Sequence, residues 1–531
     1  MRKIGWFFII SSILAMVAEY FYLKFPTISW AFNMAYDNAN LRTVFKTTSD
    51  AGVDSWTFAW FGYFVAVVGI LLGVYFLRAF PKGAVVLPTT LRRIQRFKES
   101  KRGYYSLLII LFVVLLASFD QLLVGKKAIY VSYGDKSFCP ALMRESIMGS
   151  EIGLKGDKAL QEIEYRKLKE TIEEDESIKG TCIMPFIPYN PTEDTADVPY
   201  VELEMKDGVL LNPDGEPMRG RVSVLYNGKS DRRHMVYEYR NGVREGLTTG
   251  KDLTGDKVYE ATYKAGAIVN ESYTGTAMSK KDYLPGPDVV FCKVFNHSAP
   301  PMGAHWLGTT PVGNDLVAYL YGGLQVNIRA VLIYIPLIYL VGVSIGLVMG
   351  YFGGWFDLVV QRLIEIFSTI PFLFVVIIFS SLIDSQNRGL IMILAILVGF
   401  GWMGMTYLMR TAAMKEKARD YVAAARVSGA STPRILFSHI LPNTVAILVT
   451  LVPFSVSAII TALTSLDYLG FGLPPEYATW GTLLKDGLAN FSKPWLVTSA
   501  FVTLVTTLIL TTFVGEAVRD AFDPKKFSTY K

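Results

Sequence analysis

Apolar residues of this 531-residue chain gather into eight runs that are separated by polar segments. A helix needs about 20 residues to cross ~30 Å of hydrocarbon at about 1.5 Å per residue, and each run is close to that length. The runs occupy 4–23, 56–77, 104–124, 331–350, 363–383, 390–409, 445–466 and 498–515. Together with an apolar content of 51%, the pattern predicts an all-α polytopic membrane protein.

The first run follows Met1, Arg2 and Lys3, so it could be a signal peptide. A signal peptide ends in a small-x-small cleavage site, which the residues from Glu19 to Lys24 do not provide. We therefore expect an uncleaved anchor that pairs with the second run.

The polar segment 125–325 is long enough to form a domain of its own. Its charged stretch 150–179 predicts an amphipathic helix, and the proline-rich stretch 185–199 predicts a linker. Between 200 and 275, short alternating strands are separated by Asn-Gly and Ala-Gly turns, which predict hairpins. This recurrence resembles MORN-variant repeats. Two interpretations fit this recurrence: the hairpins form a surface that binds a partner, or they are a β insertion that binds none.

These patterns divide the chain into five parts. We expect an N-terminal transmembrane hairpin (1–80), a basic connector (81–103), a span (104–124), an α+β insertion (125–325) with MORN-like hairpins at about 220–275, and a core with five spans (326–531).

The placement of charge predicts the topology. The net charge is +6, and the loop 78–102 carries eight cations against Glu99 alone. The positive-inside rule places this loop in the cytoplasm, and eight spans then put both termini there. The basic loop 410–443 falls on the same side. These cations flank spans and form no fold of their own, which argues against a nucleic-acid partner.

The loop segment 420–443, DYVAAARVSGASTPRILFSHILPN, reads as two short helices joined at Gly429. Tyr421, Ala424, Ala425 and Ser428 share a face at i, i+3, i+4 and i+7. Gly429 suits a left-handed end, and Thr432 can cap a second helix with Pro433 at its first position. The small face suits docking of a soluble partner. An interfacial loop without a partner fits the spacing equally well.

Motifs for catalysis or energy conversion are absent from the sequence. Cys139, Cys182 and Cys292 allow one disulfide but fix no pairing, and the four histidines are scattered along the sequence, which argues against a metal site. The stretch 246–252 resembles a phosphate loop, but Glu245 and Asp252 replace its first Gly and its Ser/Thr. Glu19 and Glu365 lie at the ends of unrelated spans and make a poor proton relay. We expect a transporter energised by another chain, or a membrane-anchored sensor that acts through its outer domain.

The segment 420–443 resembles the EAA loop of ABC-importer permeases. The matching residues are Ala423, Ala424, Ala425, Gly429, Ile435, His439, Leu441, Pro442 and Asn443. Tyr421 or Val422, depending on the alignment, replaces the leading Glu of that motif. Four more segments resemble C-type peptide permeases: 305–323, 350–357, 465–481 and 515–524. The segment 126–142 resembles the branch that imports microcin C and peptides.

The resemblance implies a type I ABC-importer permease fold and a subunit that moves oligopeptides or peptide-like compounds inward across the bacterial cytoplasmic membrane. It implies a second permease subunit, two ATPases that hold the ATP and magnesium, and an extracytoplasmic substrate-binding protein, with no cofactor on this chain. The implied ATPase-coupling residues are Tyr421, Ala423, Ala424, Ala425, Gly429, Ile435, His439 and Pro442. It leaves the identity of the substrate open.

Overall fold

The fold was obtained as a computed structural model. It describes residues 2–21, 55–79, 88–134, 136–142, 147–152, 163–174, 180–193, 205–206, 208–211, 217–218, 220–225, 233–251, 257–274, 292–294, 300–301, 305–383, 389–475 and 477–523. The predicted turn at 226–228, the end of the predicted linker and the basic residues 525–526 lie outside this part of the chain.

Helices make up most of the fold. They are α1 (Arg2–Tyr20), α2 (Ser55–Ala79), α3 (Pro88–Glu99), α4 (Lys101–Ser118), α5 (Tyr165–Glu174), α6 (Leu316–Phe352), α7 (Gly354–Thr369), α8 (Phe372–Ser381), α9 (Leu390–Lys417), α10 (Asp420–Val427), α11 (Thr432–Leu469), α12 (Trp480–Ala489) and α13 (Pro494–Phe522).

The predicted spans all coincide with helices. Within the described residues, six helices are long and apolar enough to cross a bilayer, namely α1, α4, α6, α9, α11 and α13. The run 363–383 falls on α7 and α8, which are separated by an 80° bend. The run 56–77 falls on α2, a helix of 25 residues.

Two helices begin well before the predicted runs. The apolar pattern predicts a span from 331, whereas α6 begins at Leu316. Two polar side chains that interrupt the pattern donate hydrogen bonds inside the protein: Gln325 donates to the Ala117 carbonyl at 3.1 Å, and Asn327 donates to the Gly323 carbonyl at 2.8 Å. Similarly, α11 absorbs the short helix expected after Gly429, because a π-helical segment at Ile435–Ile440 joins it to the span.

Glycines allow the central helices to approach closely. A Cβ atom added at Gly342, Gly346 or Gly350 of α6 would lie 2.6–2.7 Å from atoms of α9. The partners in α9 run from Met405 to Ala413 in the same chain order as the glycines, so the two helices are parallel. Small residues at such positions let the backbones of membrane helices approach closely.

The N-terminal hairpin is formed by α1 and α2. Gly5 and Gly73 face each other, and a Cβ atom at either would lie within 2.9 Å of the other's carbonyl oxygen. The exposed side chains of both helices are largely apolar, which suits helices surrounded by lipid.

Residues 120–301, which we call the sheet domain, contain twelve strands in the described part. They are β1 (Tyr130–Tyr133), β2 (Lys136–Phe138), β3 (Gly180–Ile183), β4 (Met205–Lys206), β5 (Val209–Leu210), β6 (Gly220–Leu225), β7 (Arg233–Arg240), β8 (Val243–Arg244), β9 (Gly246–Lys251), β10 (Lys257–Lys264), β11 (Ala267–Tyr273) and β12 (Cys292–Val294).

A small sheet with the order β2-β1-β3 packs against α5 around Val131, Tyr165 and Leu168. Only 165–174 of the predicted helix 150–179 is described as helical. Cys139 and Cys182 are free thiols, and burial raises the pKa of Cys182 to about 11. Cys139 and Cys182 therefore do not form the disulfide that the sequence allows, and the side chain of Cys292 lies outside the described residues.

The larger sheet has the order β11-β10-β9-β7-β6-β12, all antiparallel, with β8 paired to β7. Its hairpin turns at Asn241–Gly242 and Ala265–Gly266 have positive φ at both central residues, between 49° and 84°. This is the twist that two-residue hairpins need, so these two predicted turns are confirmed. Buried Tyr237, Tyr239, Tyr259 and Tyr263 form the core of the sheet.

Candidate functional site

The core has two ends that differ in structure. We call the end where α6 begins, next to the sheet domain, the sheet end. We call the opposite end, where α6 and α9 reach residues 418–431, the loop end. The residues predicted for coupling all lie at the loop end, on α10, in the turn after it and on the first turns of α11.

Helix α10 stops at Gly429 because the chain there turns into the left-handed region, with φ of 75°. The Ala430 N–H donates to the Ala425 carbonyl and the Gly429 N–H donates to the Arg426 carbonyl, both at 3.0 Å. These two hydrogen bonds form a Schellman motif, which satisfies carbonyls at the helix end. The conformation predicted for Gly429 is confirmed.

The predicted cap of the next helix is wrong by one residue. Ser431 is the N-cap, with φ −65° and ψ 151°, so Thr432 is the first helical residue and Pro433 the second. No side chain caps this helix end. Pro433 is accepted at the second position because the first four N–H groups of a helix have no acceptor within it.

One face of α10 is buried against the spans. Val422 is fully buried and contacts the same apolar cluster as Ile435 and Ile440 of α11. The cluster is completed by side chains from α6 and α9, namely Val343, Leu347, Tyr351, Met405, Met409 and Ala413. Because these contacts are apolar and close, a displacement of α10 must displace the ends of both spans.

The other face of α10 is a small exposed ridge, which we define as Ala423, Ala424, Val427, Ser428 and Gly429. Val427 is 90% exposed, an unusual environment for a β-branched apolar residue. A Cβ atom added at Gly429 would meet nothing within 4 Å. The ridge therefore presents backbone and methyl groups that another protein surface can approach closely.

The other predicted site residues separate into inward and outward positions. Ala425 and Ile435 face inward against the apolar cluster, and His439 is half-buried in the π-helical segment. Pro442 is exposed in the first α-helical turn after that segment. Of the small face predicted for α10, Tyr421, Ala424 and Ser428 are exposed and Ala425 is half-buried.

Either Tyr421 or Val422, depending on the alignment, stands at the position of the missing Glu, and the two side chains make different contacts in the structure. Val422 is an apolar anchor, whereas the Tyr421 hydroxyl donates to Glu416 Oε2 at 2.7 Å. Burial, and secondarily this hydrogen bond, raises the pKa of Tyr421 to about 12, so the hydroxyl stays neutral at physiological pH. The bond ties α10 to the end of α9.

Sequence reasoning missed three contributors to the loop end. Val427 was not singled out, although it is the most exposed part of the ridge. Tyr351 receives Arg426 and Lys417 over its ring, at 5.4 and 5.8 Å from the ring centroid. Arg410 was counted as a loop cation, but it lies in α9. A cation directly after an apolar run can belong to the same helix and indicate a buried partner, and that signal was available.

That partner is Asp357 at the start of α7. Arg410 donates to both carboxylate oxygens, at 2.5 and 2.6 Å, and Asp357 is buried. Such a bidentate pair fixes both distance and orientation. It joins α7 to α9 close to the loop end.

The sheet end is held by another buried pair. Asp315 caps α6 by accepting from the Ala318 N–H at 2.8 Å, and its second oxygen lies 2.8 Å from His305 Nδ1. The neighbouring Asn314 donates to the Pro191 carbonyl at 3.3 Å. Asn314 thus ties α6 to the sheet domain by an amide contact.

Comparison with known proteins places the core in a family. The profile of the family described as "Binding-protein-dependent transport system inner membrane component" matches residues 342–528. A 227-residue stretch is 33% identical to the oligopeptide transport system permease protein OppC of Mycobacterium bovis, covering 42% of this chain and 77% of that protein. The chain belongs to the binding-protein-dependent transport system inner membrane component family.

Two further relatives extend the comparison. The inner membrane ABC transporter permease protein YejE of Escherichia coli is 40% identical over 228 residues, covering 43% of this chain and 66% of that protein. The peptidoglycan transport system permease protein YejE of Agrobacterium fabrum is 29% identical over 446 residues, covering 84% of this chain and 96% of that protein. This last stretch is too long to lie within the family match, so it includes much of the chain before residue 342.

As a member of this inner membrane component family, the chain is a multi-pass permease subunit of the inner membrane. The predicted all-α polytopic fold with an α+β insertion is confirmed. The family match covers α10 and all the residues predicted for coupling. It also covers the buried Asp357–Arg410 pair.

Proposed function

We propose that this chain is one of two permease subunits of an ATP-driven importer that carries oligopeptides or peptide-like compounds across the cytoplasmic membrane. The observation that carries the proposal is the loop end: α10 exposes a small ridge on one face and is fixed to α6 and α9 by the other. The names of the relatives, which refer to oligopeptide, peptidoglycan and ABC transport, support the substrate class.

In this proposal the ridge docks onto an ATPase subunit that binds ATP and magnesium. The loop end then lies in the cytoplasm with both termini, in keeping with the basic residues on α3 and around α10. Closure of the two ATPases would push α10 as a unit. Val422, Ile435 and Ile440 would pass that displacement to the glycine-lined contact between α6 and α9.

The test is a substitution in the ridge that leaves its supports intact. Gly429→Asp adds a charged side chain that the chain itself does not contact, since a Cβ atom there has open space. We expect the complex to assemble, while stimulation of ATP hydrolysis by a loaded binding protein falls at least tenfold in proteoliposomes.

The matched control is Gly134→Asp in the sheet domain. Gly134 also has positive φ, at 59°, and open space around a Cβ atom, so it carries the same backbone strain. The proposed coupling role of the ridge would be wrong if the stimulation of ATP hydrolysis were normal in Gly429→Asp, or if Gly134→Asp lost as much of it.

We further propose that the sheet domain contacts the substrate-binding protein or the partner permease. Deleting residues 200–275 removes β4 to β11 and leaves the smaller sheet that packs against α5. Uptake should fall while co-purification with the ATPases persists, and unchanged uptake would contradict this role. The alternative of a membrane-anchored sensor receives no support from the relatives.

A further inference from the structure

Helix α7 runs alongside α9 through the depth of the core. At one end Asp357 pairs with Arg410, and at the other the rings of Phe367 and Phe400 lie 6.0 Å apart. The two contacts are ten residues apart on each helix, with the chain order reversed. Because equal numbers of residues give equal rise, α7 is antiparallel to α9 between these points. Residues 358–366 therefore lie level with residues 401–409 of α9, in the half of the apolar run 390–409 that is nearer the loop end.

One side of α7 is polar at this depth. Gln361, Glu365 and Ser368 follow each other at i, i+4 and i+7, so they form a stripe along the helix. Arg362 borders the stripe and donates to Glu365 Oε2 at 2.5 Å, while Gln361 donates to Glu365 Oε1 at 3.1 Å. Their side chains are exposed, by 75% for Arg362 and 46% for Glu365.

The neighbouring side of α7 is exposed but apolar. Leu363 and Ile366 are exposed to a similar degree as Glu365 and carry no polar group. Charged side chains inside a membrane face a water-filled cavity or the bundle interior, because contact with lipid would strip them of water. The two sides of α7 thus have different surroundings: lipid or protein suits Leu363 and Ile366, and water suits the stripe.

The stripe ends at a cavity formed by the break between α7 and α8. Ile370 is extended, with φ −86° and ψ 127°, and the helix axis turns by 80°. A cavity of about 400 Å³ opens there, and among its lining residues are Tyr334, Phe367, Ser368, Phe372, Phe400 and Gly404. No charged residue of the described chain lines it. Irregular backbone at membrane depth is tolerated where it is buried or lines a water-filled cavity.

We propose that the Gln361–Glu365–Ser368 stripe and the cavity at the break form one wall of the water-filled passage for the solute. The proposal rests on the proposed import function. The stripe keeps the passage hydrated, and Glu365 with the neighbouring Arg362 offers an anion and a cation to a zwitterionic peptide-like solute. The uncharged aromatic cavity receives an apolar side chain of that solute, and Ser368 supplies a hydrogen-bonding group at its edge.

The first test measures water access independently of transport. Single cysteines are introduced as Gln361→Cys and Ser368→Cys in the stripe, and as Leu363→Cys and Ile366→Cys on the apolar side. The assembled complex in proteoliposomes is treated with a water-soluble, membrane-impermeant methanethiosulfonate, and the modified peptides are identified by mass spectrometry. We expect the stripe to react at least tenfold faster than the apolar side.

Either of two results would overturn the proposal. Equal rates on both sides would show that α7 has uniform surroundings. Protection of all four cysteines in the complex, with reaction in the isolated chain, would show that the partner permease covers the stripe. Both results concern the passage only, so they leave the coupling role of α10 standing.

The second test fills the cavity. A Cβ atom at Gly404 meets nothing within 4 Å, so Gly404→Trp places an indole in the cavity without a clash at Cβ. Gly399 lies on the same helix, also has open space and does not line the cavity, which makes Gly399→Trp the matched control.

We expect Gly404→Trp to reduce uptake of tripeptides with a central Phe at least fivefold more than uptake of trialanine, and Gly399→Trp to leave the ratio unchanged. An unchanged ratio in Gly404→Trp would contradict the role of the cavity. If the unmodified complex takes up neither peptide, the proposed import of peptides fails, while the labelling pattern still reports on the passage.

Discussion

The two ends of the core are held together by different kinds of contact. At the sheet end, polar groups tie α6 to segments that are distant in sequence: Gln325 donates to Ala117, Asn314 to Pro191, and the Trp480 indole to the Leu320 carbonyl at 3.0 Å. At the loop end, α10 is held mainly by the apolar cluster around Val422. Hydrogen bonds are directional, so they fix the relative orientation of the segments that they join to α6. Apolar packing is non-directional, so it holds α10 against the spans without determining what the exposed face of α10 binds.

The contrast indicates a division of labour along α6. The sheet end serves as a fixed frame, and the loop end offers a free ridge to another subunit. Substitutions at the sheet end should therefore reduce stability, and substitutions in the ridge should reduce coupling. The buried Asp357–Arg410 pair is the exception, since it is an ion pair close to the loop end.

The largest effect on stability is expected from breaking the Asp357–Arg410 ion pair. Arg410→Ala leaves the Asp357 carboxylate buried without its partner, which should lower the free energy of unfolding by about 3–5 kcal/mol. The control is Arg362→Ala, which removes the cation of an exposed pair on the same α7 and should change it by less than about 1 kcal/mol. Denaturant unfolding in mild detergent measures both, and equal losses would contradict the distinction.

Next in size is the cap of α6. Asp315→Ala removes the acceptor of the Ala318 N–H and the partner of His305, and should lower the free energy of unfolding by about 1–3 kcal/mol. Asp315→Asn keeps an acceptor for the cap and should lose less. If the two variants unfold at the same denaturant concentration, the cap contributes little to the frame.

A smaller effect is expected at Trp480. Trp480→Phe keeps a buried aromatic ring but loses the hydrogen bond to the Leu320 carbonyl. This loss should lower the free energy of unfolding by about 0.5–1.5 kcal/mol. Trp355→Phe is the control, because Trp355 is 76% exposed. Thermal denaturation in detergent should show a lower stability for Trp480→Phe than for Trp355→Phe. An equal loss of stability in Trp355→Phe would contradict the role of the sheet end as a fixed frame.

The smallest effect on stability is expected in the ridge. Val427→Ser shortens an exposed side chain and should change the free energy of unfolding by less than about 0.5 kcal/mol. Stimulated ATP hydrolysis should nevertheless fall in proteoliposomes. Val359→Ser on α7 is a control with another exposed valine. Full stimulation with Val427→Ser would mean that the ATPase docks elsewhere.

Local patterns predicted elements whose determinants are local. The apolar runs gave the spans, and the Asn-Gly and Ala-Gly signals gave the hairpin turns, just as Gly429 gave the end of α10, because Gly accepts positive φ without a steric penalty. The starts of α6 and α11 were misplaced. Gln325 and Asn327 look like the end of a span until their distant or neighbouring acceptors are known, and a π-helical segment has no clear sequence signal.

The order of residues in 420–443 was enough to identify a short helix, a glycine turn and a small-residue face, because helix periodicity and glycine geometry depend on neighbours in the chain. Only the tertiary structure decided which face is free, since Val422 and Ala423 are adjacent and one is buried while the other is exposed. The same is true of α7: Glu365 was visible as a charge in a span, but its exposure beside a cavity follows from the packing of α7 against α9. Burial is a property of what surrounds a residue, and sequence spacing specifies only its direction from the helix axis.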